Sequence, residues 1–598
     1  MRKVNKKPIS GNEALLFVIF AILMALIIIN LFLYTICDWK HYKGQVPEYQ
    51  VKEYVEPQER GNFYDRNGKP LTQNVDVCRV NIDTSRDVFV KYDSQLKNQC
   101  PITLKLAVEL LAKTLNQDQG KVNVDPNELY NRIMEERAKP KGKKTICVAQ
   151  YLDIKYYDMI NKLNYRGITA EKTVMRYYPE GTLASRVIGA CKRDGEPLEG
   201  LELKYAKYTE GQPGKFRAQR DKLGRVLENT KVYKIENGKR LEKIDGADIY
   251  LTIDANIQNY AERALNEMAG AFNPSVAMCV VMDPKTSEIL AMANYPKYDP
   301  NNHNKYEPGM SKNYAVQNLY EPGSTSKVFT IAMGIDQGLG ADQSFGGCSN
   351  VISFGKTQVK CDHGPHGACT PRNIIAKSCN IGAWYVGKRC GKNKVYEYLK
   401  AFGVVDCTPG DEFGYEAKSR DWTPVKKWSN IDTCNRSFGQ GYQTSALAMC
   451  NAYCAIANGG VYHTPKIIRE IKTRDNKVLR EEKVDEGQRI ISQHTASVMA
   501  ELLAGCVNNG TGRPAKLPDC QATGKTGSAQ KWIVGEGWSK REYLVSFIGF
   551  APEKNPELVC AVMVDYPKGS TYGAVVAAPV WKKVMEQSLK YRMNSVKK

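Results

Sequence analysis

At 598 residues the chain is too long to fold around one hydrophobic core, so two or more domains are expected. A formal charge of +21 at pH 7 would suit a nucleic-acid partner, but the basic residues are dispersed, with no long Lys/Arg run beyond local clusters such as residues 139–144. Nucleic acid is therefore excluded as the expected partner, and anionic lipid headgroups or anionic polymers fit the charge better.

Taken in chain order, the first element is an apolar run from Ala14 to Cys37 with no charged residue. At ~1.5 Å per helical residue it can cross a hydrocarbon core of ~30 Å. Arg2, Lys3, Lys6 and Lys7 precede it and only Lys40 and Lys43 follow closely. The positive-inside rule then makes residues 1–13 a cytoplasmic tail and 14–37 a single-pass transmembrane helix, with the remainder outside the cytoplasm. The alternative, a cleaved signal peptide, is disfavoured by the length of the run and the lack of an A-x-A-like site. Residues 44–245 mix short strand-like runs with a charged helical stretch from Leu104 to Arg137, and they hold no cluster of catalytic residue types.

The pattern changes from Gly246 onward, and 246–598 reads as a second domain. Ala277 to Met282 and Glu288 to Ala293 predict a hairpin across Pro284-Lys285-Thr286-Ser287. Next, Tyr320-Glu321-Pro322-Gly323-Ser324-Thr325-Ser326-Lys327 passes from a breaker pair into an apolar run, which places Ser324 at or near a helix N-terminus. Lys327 lies one turn on, on the same face. A serine hydroxyl needs an adjacent base to become a nucleophile, and a lysine serves only where burial or nearby cations depress its ammonium. Ser-x-x-Lys alone is weak, since it starts at Ser94, Ser324, Ser353, Ser528 and Ser595, and an N-cap serine beside a solvated lysine is the bland reading.

Cys348, Cys361, Cys369 and Cys379 surround the segment before the next signal. Cys361-Asp362-His363-Gly364-Pro365-His366-Gly367-Ala368-Cys369 has Cys and His at spacings that can ligate zinc. Most of the other cysteines among the 18 read as small buried hydrophobes. After the amphipathic stretch Pro371 to Lys377 comes Ser378-Cys379-Asn380. Lys525-Thr526-Gly527-Ser528 follows, flanked by small residues that suit a strand edge approached by a ligand backbone. Lys525 offers a cation, and Thr526 and Ser528 offer hydroxyls for a carboxylate. Ala522 to Gln530, Tyr543 to Ala551 and Leu558 to Tyr566 predict three successive strands, and Ala577 to Lys590 a closing helix. A hairpin, a helical middle and then strands imply an α+β domain with an antiparallel sheet and helices packed around it.

The three polar signals in this order match a set used by penicillin-interacting serine enzymes. With Arg60-Gly61-Asn62-Phe63-Tyr64-Asp65, Gly200-Leu201-Glu202, Gly211-x-x-Gly214, Thr252-Ile253-Asp254, Met282-Asp283-Pro284, Phe438-Gly439-Gln440-Gly441 and Ala457-Asn458-Gly459-Gly460, the chain resembles a class B penicillin-binding protein, a monofunctional peptidoglycan D,D-transpeptidase. The Tyr-Glu-Pro-Gly-Ser-Thr context and the modest length of residues 44–245 look most like the division-specific, septal branch; an elongation-type, side-wall enzyme is the alternative. A non-enzymatic wall-synthesis scaffold and a β-lactamase are weaker ones.

The resemblance implies the penicillin-binding/transpeptidase fold in 246–598, preceded by a non-catalytic pedestal, of the dimerisation-domain kind, in 44–245. It implies Ser324 as nucleophile, Lys327 as its base, Ser378 and Lys525 as a proton relay and Asn380 as a ligand of the donor peptide. Thr526, Gly527 and Ser528 would bind the terminal carboxylate, with the backbone N–H groups of Ser324 and Ser528 as oxyanion hole. The family usually has threonine where Ser528 stands. Some relatives carry a cysteine pair near the Ser-x-Asn signal, which implies a Cys348–Cys361 disulfide, and the loop there implies no metal and no cofactor. Implied partners are peptidoglycan stem peptides, the lipid-linked precursor polymer, β-lactams as inhibitors, a polytopic glycosyltransferase and small bitopic divisome proteins.

Overall fold

The computed structural model describes residues 11–33, 51–93, 98–117, 122–219, 230–302, 307–361, 364–407, 413–421, 423–533 and 537–596. Most of the expected cytoplasmic tail, the anchor's last residues 34–37 and the pedestal's first residues 44–50 lie outside them. Among the described residues one helix is long and apolar enough to cross a membrane: Gly11–Phe32, whose apolar window is Ala14–Phe32.

The chain forms two compact units, Met1–Glu59 with Glu210–Gly246, and Arg60–Thr209 with Ala247–Lys598. The stretch 44–245 is thus divided between them. In the smaller unit, Gly214–Gln219 is the middle strand of an antiparallel sheet, between Val51–Glu56 and Val232–Tyr233.

In the larger unit, Gln73–Asp83 pairs antiparallel with both Thr145–Asp153 and Ile168–Tyr177. The helical stretch expected over 104–137 is two helices, Leu104–Leu115 and Pro126–Ala138. The break is built by Asn116, whose amide donates to the Val124 carbonyl at 2.9 Å and accepts from the Val124 N–H at 2.8 Å. Asp125 then caps the second helix, with proline in its first turn.

The segment after Arg60 meets the catalytic half directly. Phe63–Tyr64 lies parallel to Asp248–Leu251, and Gly61 runs so close to Ala247 that a Cβ on it would sit 1.9 Å from the Ala247 carbonyl oxygen. Arg176 Nε donates to Glu202 Oε1 at 2.8 Å and Arg60 Nη2 to Glu202 Oε2 at 3.0 Å, with the Arg176 and Glu202 side chains fully buried. Arg176 also donates to Asn62 and Asn74. Two of the resembling stretches, Arg60-Gly61-Asn62 and Gly200-Leu201-Glu202, therefore close one buried network.

The catalytic half is the expected α+β arrangement. Helix α1 (Ala255–Phe272) is capped by Asp254. Strands β1 (Val276–Met282) and β2 (Ile289–Tyr295) form the hairpin. Helices α2 (Lys327–Asp336), α3 (Pro371–Lys377), α4 (Asn380–Cys390), α5 (Ala446–Ala457) and α6 (Gln493–Asn509) make the middle. Strands β3 (Lys525–Ile533), β4 (Gly537–Ala551) and β5 (Leu558–Asp565) and helix α7 (Gly573–Val596) close the domain. The sheet order is β2-β1-β5-β4-β3, antiparallel throughout, which leaves β3 as an edge.

Both faces of this sheet are covered, so its strands are apolar at consecutive positions. Ala277, Cys279 and Val281 pack with α1 and α7 residues such as Leu265 and Trp581. Met278, Val280 and Met282 face the other layer, with α5 and α2 residues such as Met449 and Ile331. The closing helix begins four residues before the expected Ala577 and carries Pro579 inside it.

Candidate active site

Three chain segments build one cleft. Gly323–Ser326 is a 3-10 turn that feeds α2, so Ser324 sits just before the helix and not within it. Gly323 is left-handed at φ +55°, and its N–H donates to the Gly439 carbonyl at 2.9 Å. Gly439 lies so close in return that a Cβ there would stand 2.1 Å from the Gly323 oxygen. This is the physical use of Phe438-Gly439-Gln440-Gly441: it clamps the turn from behind. Thr325 Oγ1 closes the turn on the Pro322 carbonyl at 2.8 Å, and Ser326 Oγ bonds the Tyr442 hydroxyl.

Lys327 is fully buried and its side chain points back along the turn. Nζ lies 2.9 Å from Ser324 Oγ, 2.7 Å from the Ser378 carbonyl oxygen and 3.1 Å from Ser378 Oγ. The first two signals, widely separated in sequence, thus share one amine. Ser378 ends α3 in the left-handed conformation at φ 59°, which turns its hydroxyl and carbonyl toward Lys327 before α4 begins at Asn380. Asn380 Nδ2 donates to the Lys360 carbonyl at 2.7 Å.

The third signal is the start of edge strand β3. Lys525 is fully buried, with Nζ donating to the Thr526 carbonyl at 3.1 Å. Thr526 Oγ1 is 2.8 Å from Thr511 Oγ1, and Ser528 Oγ accepts from the Gly573 N–H at 3.3 Å. Gly527 leaves room for the turn: a Cβ there would lie 3.0 Å from Thr325 Cγ2. Between these walls is a cavity of about 800 Å³ lined by Ser324, Ser378, Asn380, Thr526 and Ser528, with Thr357–Lys360 along one side. The structure brings Ser324, Lys327 and Ser378 into direct contact, and it sets Asn380, Thr526, Gly527 and Ser528 on the same cavity.

Sequence reasoning missed several supporting groups. Thr511 and Gly573 carried no motif. Tyr442 sat one residue beyond a recognised stretch. Glu321 directly precedes the Pro-Gly pair; burial pushes its carboxyl up to about 7, against a smaller opposing pull from the Gly441 N–H and Arg436.

The cysteine region departs from expectation. Cys348 and Cys361 are free thiols with Sγ atoms 3.6 Å apart, so the expected disulfide is absent. Cys361 Sγ is also 3.8 Å from Cys379 Sγ, and Cys348 Sγ is 3.8 Å from His366 Nδ1. Asp362 and His363, in the same run, lie outside the described residues.

Comparison with known proteins places this geometry. The family described as penicillin binding protein transpeptidase domain matches residues 277–586, and that described as penicillin-binding protein dimerisation domain matches 55–243. The chain is 30% identical to stage V sporulation protein D of Bacillus subtilis over 555 residues, covering 90% of this chain and 80% of that protein. It is 29% identical to the probable peptidoglycan D,D-transpeptidase PenA of Neisseria meningitidis serogroup A, covering 98% and 94%. Its fold is similar to a crystal structure of penicillin binding protein 3 from Mycobacterium tuberculosis complexed with aztreonam, with a TM-score of 0.66, 24% identity and coverage of 90% and 97%.

Proposed function

The chain belongs to the penicillin-binding protein transpeptidase family, as a septal-type class B member, and from that membership we propose that Ser324 is the acylated nucleophile of a peptidoglycan D,D-transpeptidase that is also a penicillin target. The observation that carries the assignment is the single buried amine of Lys327 within 2.9 Å of Ser324 Oγ and 3.1 Å of Ser378 Oγ. Among the described residues no other Ser-x-x-Lys lysine reaches the Ser-x-Asn turn.

In this reading Ser324 Oγ attacks the carbonyl carbon of the penultimate D-alanine of a stem peptide, and Lys327 takes the hydroxyl proton. A lysine takes a proton only as the free amine. The backbone N–H groups of Ser324 and Ser528 hold the oxyanion, a contribution worth ~10²–10³ in rate per donor. Ser378 Oγ, with Lys525, passes a proton to the departing D-alanine amine as the C–N bond breaks. Asn380 orients the donor peptide, and Thr526 and Ser528 hold its terminal carboxylate beside Gly527. The amine of a second stem peptide then attacks the ester, releases Ser324 and leaves the cross-link.

The remaining assignments rest on the sequence. Arg2, Lys3, Lys6 and Lys7 before the apolar helix support a cytoplasmic N-terminus and a catalytic domain outside the membrane. Residues 44–245 would serve as pedestal, with the lipid-linked polymer, a polytopic glycosyltransferase and small bitopic divisome proteins as partners.

The test is labelling of the full chain with a fluorescent penicillin. Wild type should be labelled covalently, and Ser324→Ala should not. Labelling of Ser324→Ala at the wild-type level would show that the nucleophile lies elsewhere.

A further inference from the structure

The cysteine cluster beside the cleft has a geometry that neither a disulfide nor apolar packing explains. Cys348, Cys361, His366 and Cys379 are all buried, and their three sulfurs and one imidazole nitrogen lie within 4.8 Å of one another. The resolved separations are 3.6 Å for Cys348–Cys361, 3.8 Å for Cys361–Cys379 and 3.8 Å for Cys348 Sγ to His366 Nδ1. A tetrahedral zinc ion with Zn–S bonds of ~2.3 Å and Zn–N bonds of ~2.0 Å requires ligand atoms ~3.5–3.8 Å apart. Three of the six donor separations match edges of that tetrahedron, and the other three are within 4.8 Å.

Proximity of two thiols is not enough to mark a site. Cys279 and Cys560 lie 3.7 Å apart across β1 and β5, but there the setting is an apolar sheet layer. Around Cys361 the chain instead gathers three thiols and an imidazole. A disulfide between Cys348 and Cys361 would leave the imidazole and the Cys379 sulfur, which also meets Cys369, outside it. A metal takes Cys348, Cys361 and Cys379 together, with the buried imidazole as the fourth ligand.

The local folds point the donors inward. Cys348 closes the short strand Gly347–Cys348, which pairs with Gly367–Ala368 just after His366. Cys361 follows the hairpin Val351–Phe354 with Thr357–Lys360, and its N–H donates to the Asn350 carbonyl at 3.0 Å. Cys379 is the N-cap of α4, and its sulfur accepts from the Gly382 N–H at 3.2 Å, the kind of backbone bond that orients a ligating thiolate.

We propose that Cys348, Cys361, His366 and Cys379 hold a structural zinc ion. Three thiolates and one neutral imidazole form a closed donor set, with no position left for water, and thiolate-rich tetrahedral sites select zinc over the oxygen-loving divalent cations. This departs from the expectation of no metal. Its consequence for the site is mechanical. Cys379 is the middle residue of Ser378-Cys379-Asn380, so the metal would pin the turn that presents Ser378 to Lys327. It would also tether the hairpin whose Lys360 carbonyl receives Asn380.

The experiment is elemental analysis of the full chain purified in detergent without added reductant, with cobalt replacement as a second readout. One equivalent of zinc per chain is expected, and the cobalt form should show thiolate charge-transfer bands with the intense visible bands of tetrahedral coordination. Cys361→Ser and His366→Ala should each weaken zinc binding by more than the ~10–100-fold that loss of an outer-shell partner costs. Cys369→Ser, at the neighbouring buried cysteine, should keep the full equivalent. Iron in place of zinc, or wild type without metal and with Cys348 and Cys361 joined in a disulfide by mass spectrometry, would overturn the proposal. So would zinc retained in His366→Ala but lost in Cys369→Ser. Neither metal readout depends on penicillin labelling, so the fate of this site and that of Ser324 are decided separately.

Discussion

Gly527 stands against Ser546 so closely that a Cβ on Gly527 would lie 2.3 Å from the Ser546 hydroxyl oxygen. Thr325 Cγ2, from the turn that carries Ser324, would be 3.0 Å away on the other side. The edge strand and the Ser324 turn therefore pack at glycine distance. Gly527→Ala should push β3 away from the turn and slow penicillin acylation, by at least ~10-fold if the oxyanion donor on Ser528 moves with it. Adding Ser546→Gly removes the closer obstacle and should restore part of the rate. Acylation kinetics on the three variants check this, and an unchanged rate in Gly527→Ala would show that the strand position does not control the site.

Ser378 combines a chemical and a conformational role, and the two can be separated. Its φ of 59° suits glycine better than any residue with a Cβ. Ser378→Gly should fold at least as well as wild type, while Ser378→Ala should lose roughly 1 kcal/mol or less, since the serine already tolerates the strain. Both remove the hydroxyl that Lys327 reaches at 3.1 Å, and both should lower acylation by ~10²-fold or more if that hydroxyl relays the proton. Thermal midpoints and acylation rates measured side by side distinguish the roles. Full activity in Ser378→Gly would remove Ser378 from the relay.

Much of this site was legible because its parts are local. Pro322-Gly323 announced the turn, and Lys327 three residues after Ser324 announced the shared face. The hairpin of β1 and β2 was readable from two apolar runs across Pro284 to Ser287. What stayed hidden depends on contacts distant in sequence. The packing of β1 against β5, with Val280 opposite Ala561, has no local signature. The last helix was expected from Ala577, yet it starts at Gly573, which lies so close to β3 and β4 that a Cβ on it would stand 2.5 Å from the Gly527 carbonyl oxygen and 2.4 Å from that of Ser546. Cys361 and His366 carried metal-like spacing within the run that ends at Cys369, but their convergence with Cys348 and Cys379 appears only once the hairpin folds onto α4.

Glu202 is fully buried between two guanidiniums, and the balance there is one-sided. Glu202→Gln leaves Arg176 and Arg60 without their counter-charge, and breaking a buried pair in this way costs ~3–5 kcal/mol. Arg60→Ala should cost less, because Arg60 keeps a little solvent contact and Glu202 retains Arg176. Thermal unfolding of the two variants tests the order. Equal losses would mean that Arg176 alone does not keep Glu202 compensated once Arg60 is removed.

Glu321 makes stability depend on pH in a direction opposite to that of a paired carboxylate. Its Oε1 accepts from the Gly441 N–H at 3.1 Å, while Oε2 is buried with no hydrogen-bond partner among the described residues. Burial is the largest influence and raises the carboxyl to about 7, whereas in the unfolded chain it titrates near ~4.3. The folded state therefore binds the proton more tightly. Its stabilising effect is complete below the unfolded value and is lost as pH rises through about 7, with an upper limit of ~4 kcal/mol. Glu321→Gln mimics the protonated form at every pH. Its thermal midpoint should exceed that of wild type at pH 8 and match it at pH 4, with the two curves separating between those values. Parallel curves across the range would mean that Glu321 titrates as an ordinary surface carboxylate. Because Glu321 adjoins the Pro-Gly pair before Ser324, acylation rates measured on the same samples would show whether its charge also disturbs the turn that holds Ser324.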